Sequence, residues 1–274
     1  MASSSHDDVA PALDDVDVAD ELARPSTRLS SPDAAVKADE RREGGTASLP
    51  LVDASPARPD ELKPTWRGWI HAGTFPVTIA SGIVLVCLAH GAPAKWASAV
   101  FMLTSMLLFG NSALYHRFNW KPRTKVVLKR IDHANIFLLI AGTYTPLGVL
   151  ALPPQKGAIL LSIVWGGALL GMAFHVFWIT APRWLYVPLY VLLGWAAMMY
   201  VVDLVNANAA MMVLVFVGGG LYTIGALVYG FKRPNPFPGR FGFHEIFHTL
   251  TVLAFLCHWT ASLLIVLHPA YNAG

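Results

Sequence analysis

The sequence predicts an all-α, polytopic membrane protein, folded as a seven-transmembrane-helix bundle. Its 274 residues are 55% hydrophobic and only 14% charged, a charged share well below that of an ordinary soluble domain. The acidic residues are also unevenly placed, because 14 of the 17 Asp and Glu residues lie within the first 61 positions. Three carboxylates cannot keep the remaining 213 residues soluble, so the composition excludes a two-domain soluble enzyme.

Residues 1–62 form a polar tail that is rich in Ala, Ser, Pro and Asp. The tail lacks the apolar periodicity of a helix or a strand, and its composition predicts disorder. It also lacks the basic start and short apolar run of a signal peptide, so we expect the first membrane helix to direct insertion. The predicted organisation is therefore a disordered cytoplasmic tail over 1–62 and a membrane domain over 63–274.

Seven apolar runs follow the tail, and each is close to the roughly 20 residues that a helix needs to cross a bilayer. We number the helices predicted there 1 to 7. They cover residues 72–88, 96–114, 134–152, 157–178, 185–204, 209–229 and 245–267. Because seven spans use about 140 residues, only short loops remain, and any function must reside within or beside the helices. Pro146 predicts a kink in helix 3, which would free backbone groups for nearby Thr or Tyr side chains.

The basic residues predict the orientation of the bundle. Of the 20 Lys and Arg residues, 18 lie in the tail or in the loops after helices 2, 4 and 6, whereas the other loops hold only Lys95 and Lys156. This asymmetry places the N-terminus in the cytoplasm and the C-terminus outside. We expect a multi-pass protein of the plasma membrane, with lipids as partners and no nucleic acid; the oligomeric state stays open.

Polar residues gather at one end of the predicted bundle. Ser112 and His116 end helix 2, Asp132 stands at the start of helix 3, and His244 and His248 begin helix 7. Ionisable side chains at membrane depth are costly and usually functional. In the predicted topology all these positions lie at the cytoplasmic end, so we expect them to form one site.

The spacing of the histidines indicates a metal. His244 and His248 are four residues apart, so they share one helix face and can bind one cation, and His116 adds a third nitrogen. A tetrahedral Zn²⁺ ion held by three histidines keeps its fourth position for water, as in catalytic sites. We therefore predict Zn²⁺ as the cofactor. Asp132 is expected to orient a ligand or bind the water, and Ser112 to stabilise an oxyanion.

A single histidine near a helix end is often only an interfacial, solvated residue. The paired spacing and the shared depth favour metal binding for the three named above, whereas the other histidines lack such a pattern. We expect simpler roles for these, with His71 and His90 interfacial, His133 a helix-start residue, His175 a packing residue and His258 a satisfied core residue.

The segment from His244 to His248 also matches H-E-x-x-H, the zinc protease signature in which the glutamate is the general base. Such proteases take a third ligand from downstream, but position 254 is alanine and no acidic residue follows Glu245. The third ligand must then come from upstream, which disfavours a protease. Two roles stay open for Glu245, assisting the water or forming part of the cytoplasmic surface.

Three segments of the sequence resemble the haemolysin III family, which belongs to the larger group of seven-helix progestin and adiponectin receptors. They are Ser112-Ala-Leu-Tyr-His116, Asp132-His133 leading into Ile140-Ala-Gly-Thr-Tyr-Thr-Pro146, and His244-Glu-Ile-Phe-His248 followed by Cys257-His258. The resemblance implies a seven-helix bundle with a cytoplasmic N-terminus and a zinc ion near the inner leaflet. It also implies that His116, His244 and His248 bind the zinc, with Ser112 and Asp132 nearby.

The resemblance leaves two functions open, since related membrane hydrolases cleave the amide of ceramides while bacterial members are named for haemolysis and proposed pore formation. The first hypothesis is a zinc-dependent hydrolase of a lipid amide or ester at the cytoplasmic leaflet. The second is a non-enzymatic pore-forming or membrane-homeostasis protein in which zinc ties helices 2 and 7 together. No span carries a continuous polar stripe, which argues against a wide pore within one subunit. The last helix has no Lys, which excludes a retinal-binding proton pump.

Overall fold

The computed structural model describes residues 64–178 and 183–272. The tail predicted over 1–62 lies outside these residues. Seven of the described helices are long and apolar enough to cross a membrane, and no β-strand is present in the described ranges beyond an isolated bridge between Phe237 and Phe241. These findings confirm the predicted all-α fold with seven membrane helices.

We label the seven spans α1 to α7. Six of them are continuous helices: α1 is Trp69–Leu88, α2 Gly91–Arg117, α3 Pro122–Leu150, α4 Pro154–Phe177, α6 Ala209–Phe231 and α7 Phe243–Leu267. The fifth, α5, consists of a helix over Arg183–Gly194, a 3₁₀ segment over Ala196–Tyr200 and a helix over Val201–Ala207. α3 starts well before its predicted apolar run because the helix continues into polar sequence, and its 29 residues give a length of about 44 Å, longer than a hydrocarbon core.

Helix α3 is the central helix of the bundle. In its most apolar stretch 72% of the residues are buried, against 17% in α5. It packs against α2, α4 and α7, and α7 also contacts α1 and α6. Outward-facing side chains such as Leu170 and Leu192 are apolar and largely exposed, as expected of a surface that faces lipid. This packing brings the end of α2 beside the starts of α3 and α7.

The fifth span is broken after Gly194, whereas the sequence predicted one continuous helix over 185–204. The hydroxyl of Tyr144 on α3 donates to the Gly194 carbonyl at 2.6 Å and accepts from the Ala197 backbone N–H at 3.0 Å. Backbone groups in a membrane need such partners wherever a helix is interrupted. The sequence suggested that Tyr144 would bond backbone groups freed by Pro146 in its own helix. Its hydroxyl instead bonds the backbone of α5.

Candidate metal centre

Three histidine side chains converge where α2 ends and α7 begins. The candidate ligand atoms of His116, His244 and His248 all lie within 4.8 Å of one another, and Nε2 of His116 is 3.2 Å from Nε2 of His244. Two nitrogen ligands of a tetrahedral Zn²⁺ ion are about 3.3 Å apart at ordinary bond lengths. The residues therefore fit an ion of this kind, and the group can bind a metal.

The first turn of α7 is fixed by Glu245. One carboxylate oxygen of Glu245 accepts from the backbone N–H of Gly242 at 2.8 Å, and the other accepts from Nε of Arg67 at 2.6 Å. Glu245 is 1% exposed, so a surface role for it is wrong. The ion pair instead ties the chain ahead of α1 to the turn that carries His244.

Asp132 and Ser112 lie together at the side of the three-histidine group. Oδ2 of Asp132 is 3.8 Å from Nε2 of His116, and the Ser112 side chain lies near enough to the Asp132 carboxylate to stabilise its charge. Ser112 is buried on α2, one turn inside His116. All five residues singled out from the sequence are therefore neighbours in the structure, with Ser112 directed at Asp132.

His71 is a further residue at this site, which the sequence did not predict. Its side chain is 2% exposed, and its imidazole stacks on that of His248, with ring centroids 3.8 Å apart and 12° between the planes. Neither ring nitrogen has a well-aligned hydrogen-bond partner among the described residues. The predicted interfacial position was wrong because α1 begins at Trp69 and carries His71 into the bundle. A signal was available, since the predicted topology put His71 at the same depth as the three candidate ligands.

A glycine just before α1 lets the backbone pass close to the candidate metal site. Gly68 has a φ of 79°, in the left-handed region that favours glycine. A Cβ at this position would lie 2.7 Å from Cβ of His116, so no larger residue fits without a shift. Together with the Arg67 ion pair and the His71 stack, this close approach makes the start of α1 a wall of the candidate metal site.

A cavity leads from His244 and His248 into the bundle. Its volume is about 100 Å³, and its walls come from every span except α4. Along α7 it extends from His244 to His258, a distance of about 21 Å at the rise of an α-helix. Most of its lining side chains are aliphatic or aromatic, while Ser112, Asp132 and His71 lie at the metal end. Its length and lining are suited to an extended apolar chain.

The other histidines within the bundle are engaged away from the three-histidine group. Nε2 of His175 is 2.8 Å from the Tyr190 hydroxyl, as expected for a packing residue. Nδ1 of His258 bonds a carbonyl in its own helix, but its Nε2 has no partner among the described residues, so this core residue is only partly satisfied. His133 was expected at a helix start, but α3 begins at Pro122. The His133 ring therefore lies inside the bundle, with Nε2 3.1 Å from the Tyr229 hydroxyl.

The helical bundle and its three-histidine group define the class of this protein. It is a multi-pass membrane protein whose helices enclose a candidate metal site. The family model described as "Haemolysin-III related" matches residues 60–259. The chain therefore belongs to the haemolysin III family, as its motifs predicted. The plasma membrane, which we expected as its location, is the usual one for this family.

Individual relatives agree with this assignment. "Hemolysin-3 homolog" of Bacillus subtilis strain 168 is 33% identical over 180 residues, which cover 64% of this chain and 81% of the relative. "Hemolysin-3" of Bacillus cereus is 31% identical over 161 residues, 57% of this chain and 73% of the relative. A shorter match, 47% identical over 49 residues and 16% of each chain, is to "ADIPOR-like receptor IZH2" of Saccharomyces cerevisiae.

Proposed function

We propose that this protein is a zinc-dependent hydrolase that cleaves a lipid amide or ester at the leaflet predicted to be cytoplasmic. The observation that supports it is the convergence of three imidazoles at the polar end of a long, mostly apolar cavity. A zinc ion held there would supply a Lewis acid for the carbonyl and an activated water. An acyl chain extended along the cavity would bring its carbonyl carbon to the three histidines.

Asp132 is the group that we assign to proton transfer. Its carboxylate stands 3.8 Å from His116, close enough to take a proton from the attacking water and return it to the leaving amine or alcohol. Water adds to the carbonyl, the C–N or C–O bond breaks, and a fatty acid leaves with the amine or alcohol. The position of Ser112 beside Asp132 supports a role in holding this carboxylate rather than the oxyanion role expected from the sequence.

His71 is the side chain that we assign to the oxyanion. A neutral imidazole carries one N–H donor, and both nitrogens of His71 lack a well-aligned partner within the described residues although they are buried. The ring lines the cavity beside His248. A preorganised donor in a site that excludes water stabilises developing negative charge strongly.

The test uses the purified full-length protein in lipid nanodiscs. Bound zinc is measured by elemental analysis, and fatty-acid release is followed on ceramides, simple N-acyl amides and acyl esters. We expect one zinc per chain and turnover that disappears in His244→Ala, whereas His175→Ala, a buried histidine outside the group, keeps both. One zinc per chain with no His244-dependent turnover on any of these lipids would overturn the enzyme proposal.

The name of the Bacillus cereus relative favours a second candidate, a haemolysin-like protein that permeabilises membranes and in which the metal ties α2 to α7. Release of a trapped dye from liposomes separates the two candidates. Leakage that persists in His116→Ala would favour the haemolysin-like function. Absence of leakage at every protein-to-lipid ratio would count against it.

A further inference from the structure

Two polar side chains lie together at the deep end of the cavity. His258 falls near the middle of α7, Phe243–Leu267, and its ring centroid is 5.4 Å from that of Tyr222 on α6. Both side chains line the same cavity as His244 and His248 of the three-histidine group. Polar groups at the centre of a membrane are costly and usually serve a function.

The hydrogen bonding of this pair is incomplete. Nδ1 of His258 lies 2.9 Å from the Ala254 carbonyl oxygen, so Nδ1 carries the hydrogen and Nε2 of the neutral ring is an acceptor. No partner for Nε2 is found among the described residues. The Tyr222 hydroxyl is buried and also lacks a partner in that part of the chain. Because a tyrosine hydroxyl can donate, the two side chains together offer one acceptor and one donor.

The His258 ring is held in this position by the neighbouring helix. A Cβ added at Gly218 on α6 would overlap Nδ1 and Cε1 of the ring, so the imidazole lies directly against the α6 backbone. Its bond to Ala254 fixes the ring from the other side. The free nitrogen therefore belongs to a ring with one orientation, as a specific binding site requires.

We propose that Tyr222 and His258 bind a hydroxyl group on the chain of a single-chain lipid that occupies the cavity. The lipid hydroxyl would donate to Nε2 of His258 and accept from the Tyr222 hydroxyl. This inference rests on the proposed function, which puts the acyl carbonyl beside the metal, and it narrows the substrate class to hydroxylated acyl chains.

The distance between the two ends of the cavity sets the position of the hydroxyl. His258 is ten residues beyond His248, which corresponds to about 15 Å along an α-helix. An extended acyl chain advances about 1.3 Å per bond, so the distance of about 15 Å corresponds to roughly 12 bonds. The hydroxyl is therefore expected near the twelfth carbon of the acyl chain.

A competition experiment tests this subsite on the full-length protein in detergent. Equal amounts of dodecanoic and 12-hydroxydodecanoic acid are added, and native mass spectrometry gives the ratio of the two bound forms. We expect wild type to favour the hydroxylated acid about ten-fold more than Tyr222→Phe does, the effect of one good buried hydrogen bond. Partition into the micelle cancels because the same mixture is used for both proteins.

Two controls define the site. Thr251→Val removes another hydroxyl from the cavity wall, but that hydroxyl is bound to the Phe247 carbonyl within α7, so wild-type preference should persist. An acid hydroxylated at carbon 6 should gain no advantage, since its hydroxyl would not reach Tyr222 and His258.

The inference would be overturned by equal ratios for wild type and Tyr222→Phe, or by an equal advantage for the 6-hydroxy acid. A trapped water can satisfy both side chains, and in that case the hydroxylated chain gains nothing and the ratios are equal. Binding is read without turnover, so the two proposals fail separately. Preference without hydrolysis of any lipid removes the enzyme and keeps the subsite, while hydrolysis without preference does the reverse.

Discussion

The imidazole of His71 lies flat against that of His248, with ring centroids 3.8 Å apart. A residue of α1 thereby supports a candidate metal ligand on α7, while its own ring nitrogens have no well-aligned partner within the described ranges. The two functions of this side chain, support and hydrogen bonding, can be separated by substitution. Phenylalanine keeps the stacking surface and removes the N–H, and glutamine keeps an N–H donor without the aromatic ring.

His71→Phe is expected to keep one zinc per chain and to lower fatty-acid release about 100-fold, the effect of losing one oxyanion donor. His71→Gln should recover part of the rate. The absorption spectrum of the cobalt-substituted protein reports the metal geometry and should be the same in wild type and His71→Phe. His90→Phe, at an exposed position at the opposite end of α2, is the control. Loss of metal in His71→Phe would mean that the ring only supports His248.

Removal of the metal is expected to lower the unfolding temperature, because an ion that binds only the folded state stabilises it. Chelation should lower the Tm of the wild type, and added Zn²⁺ should restore it. His248→Ala should show no response to zinc, whereas His175→Ala should respond like wild type. Identical melting of the wild type with and without metal would contradict a metal site under either candidate function.

The sequence predicted the helices and the main site because both depend on local patterns. Apolar runs report helices of membrane length, and the four-residue spacing of His244 and His248 places them on one face of α7. Because Ser112, His116 and Asp132 share their membrane depth with these two histidines, the sequence predicted that all five residues form one site. The structure places them together as that argument requires.

The features that the sequence analysis missed depend on contacts between distant parts of the chain. Arg67 and Glu245 are 178 residues apart, and no local periodicity of the sequence reports such a pair. The break in α5 was missed for a similar reason, because hydropathy measures apolar content and is blind to a hydroxyl from another helix. Tyr144 on α3 supplies that hydroxyl.

The predicted orientation can be tested with single cysteines. In a variant that lacks the native cysteines Cys87 and Cys257, Lys95→Cys lies in a loop predicted outside and Lys121→Cys in a loop predicted inside. A maleimide that cannot cross membranes should label Lys95→Cys in intact cells, and Lys121→Cys only after permeabilisation. The reverse pattern would invert the bundle and move the candidate metal site to the outer leaflet.

Tyr144→Phe is expected to destabilise the bundle by about 1–3 kcal/mol, because the Gly194 carbonyl and the Ala197 N–H lose their shared partner in a buried setting. The free energy of unfolding is measured by titration with a denaturing detergent. Tyr271→Phe, at an exposed position, is the matched control and should have no effect. Equal stability of the two variants would show that the break in α5 does not depend on Tyr144.

Glu245→Gln tests whether Glu245 is structural or is a general base of the zinc-protease type. Because the carboxylate bonds Arg67 and Gly242, we expect the variant to lose about 3–5 kcal/mol of stability, as when one partner of a buried ion pair is removed. Turnover per folded, zinc-loaded molecule should be nearly unchanged, since the carboxylate is already engaged by these partners.

The double variant Arg67→Met, Glu245→Gln completes this test. The double variant should lose less unfolding free energy than the two single variants lose in sum. When both partners are removed, no buried charge is left without its counter-charge. Additive losses would show that the two side chains do not depend on each other. A collapse of turnover in Glu245→Gln, with stability and zinc content intact, would instead assign Glu245 to the attacking water and return the site to protease-like chemistry.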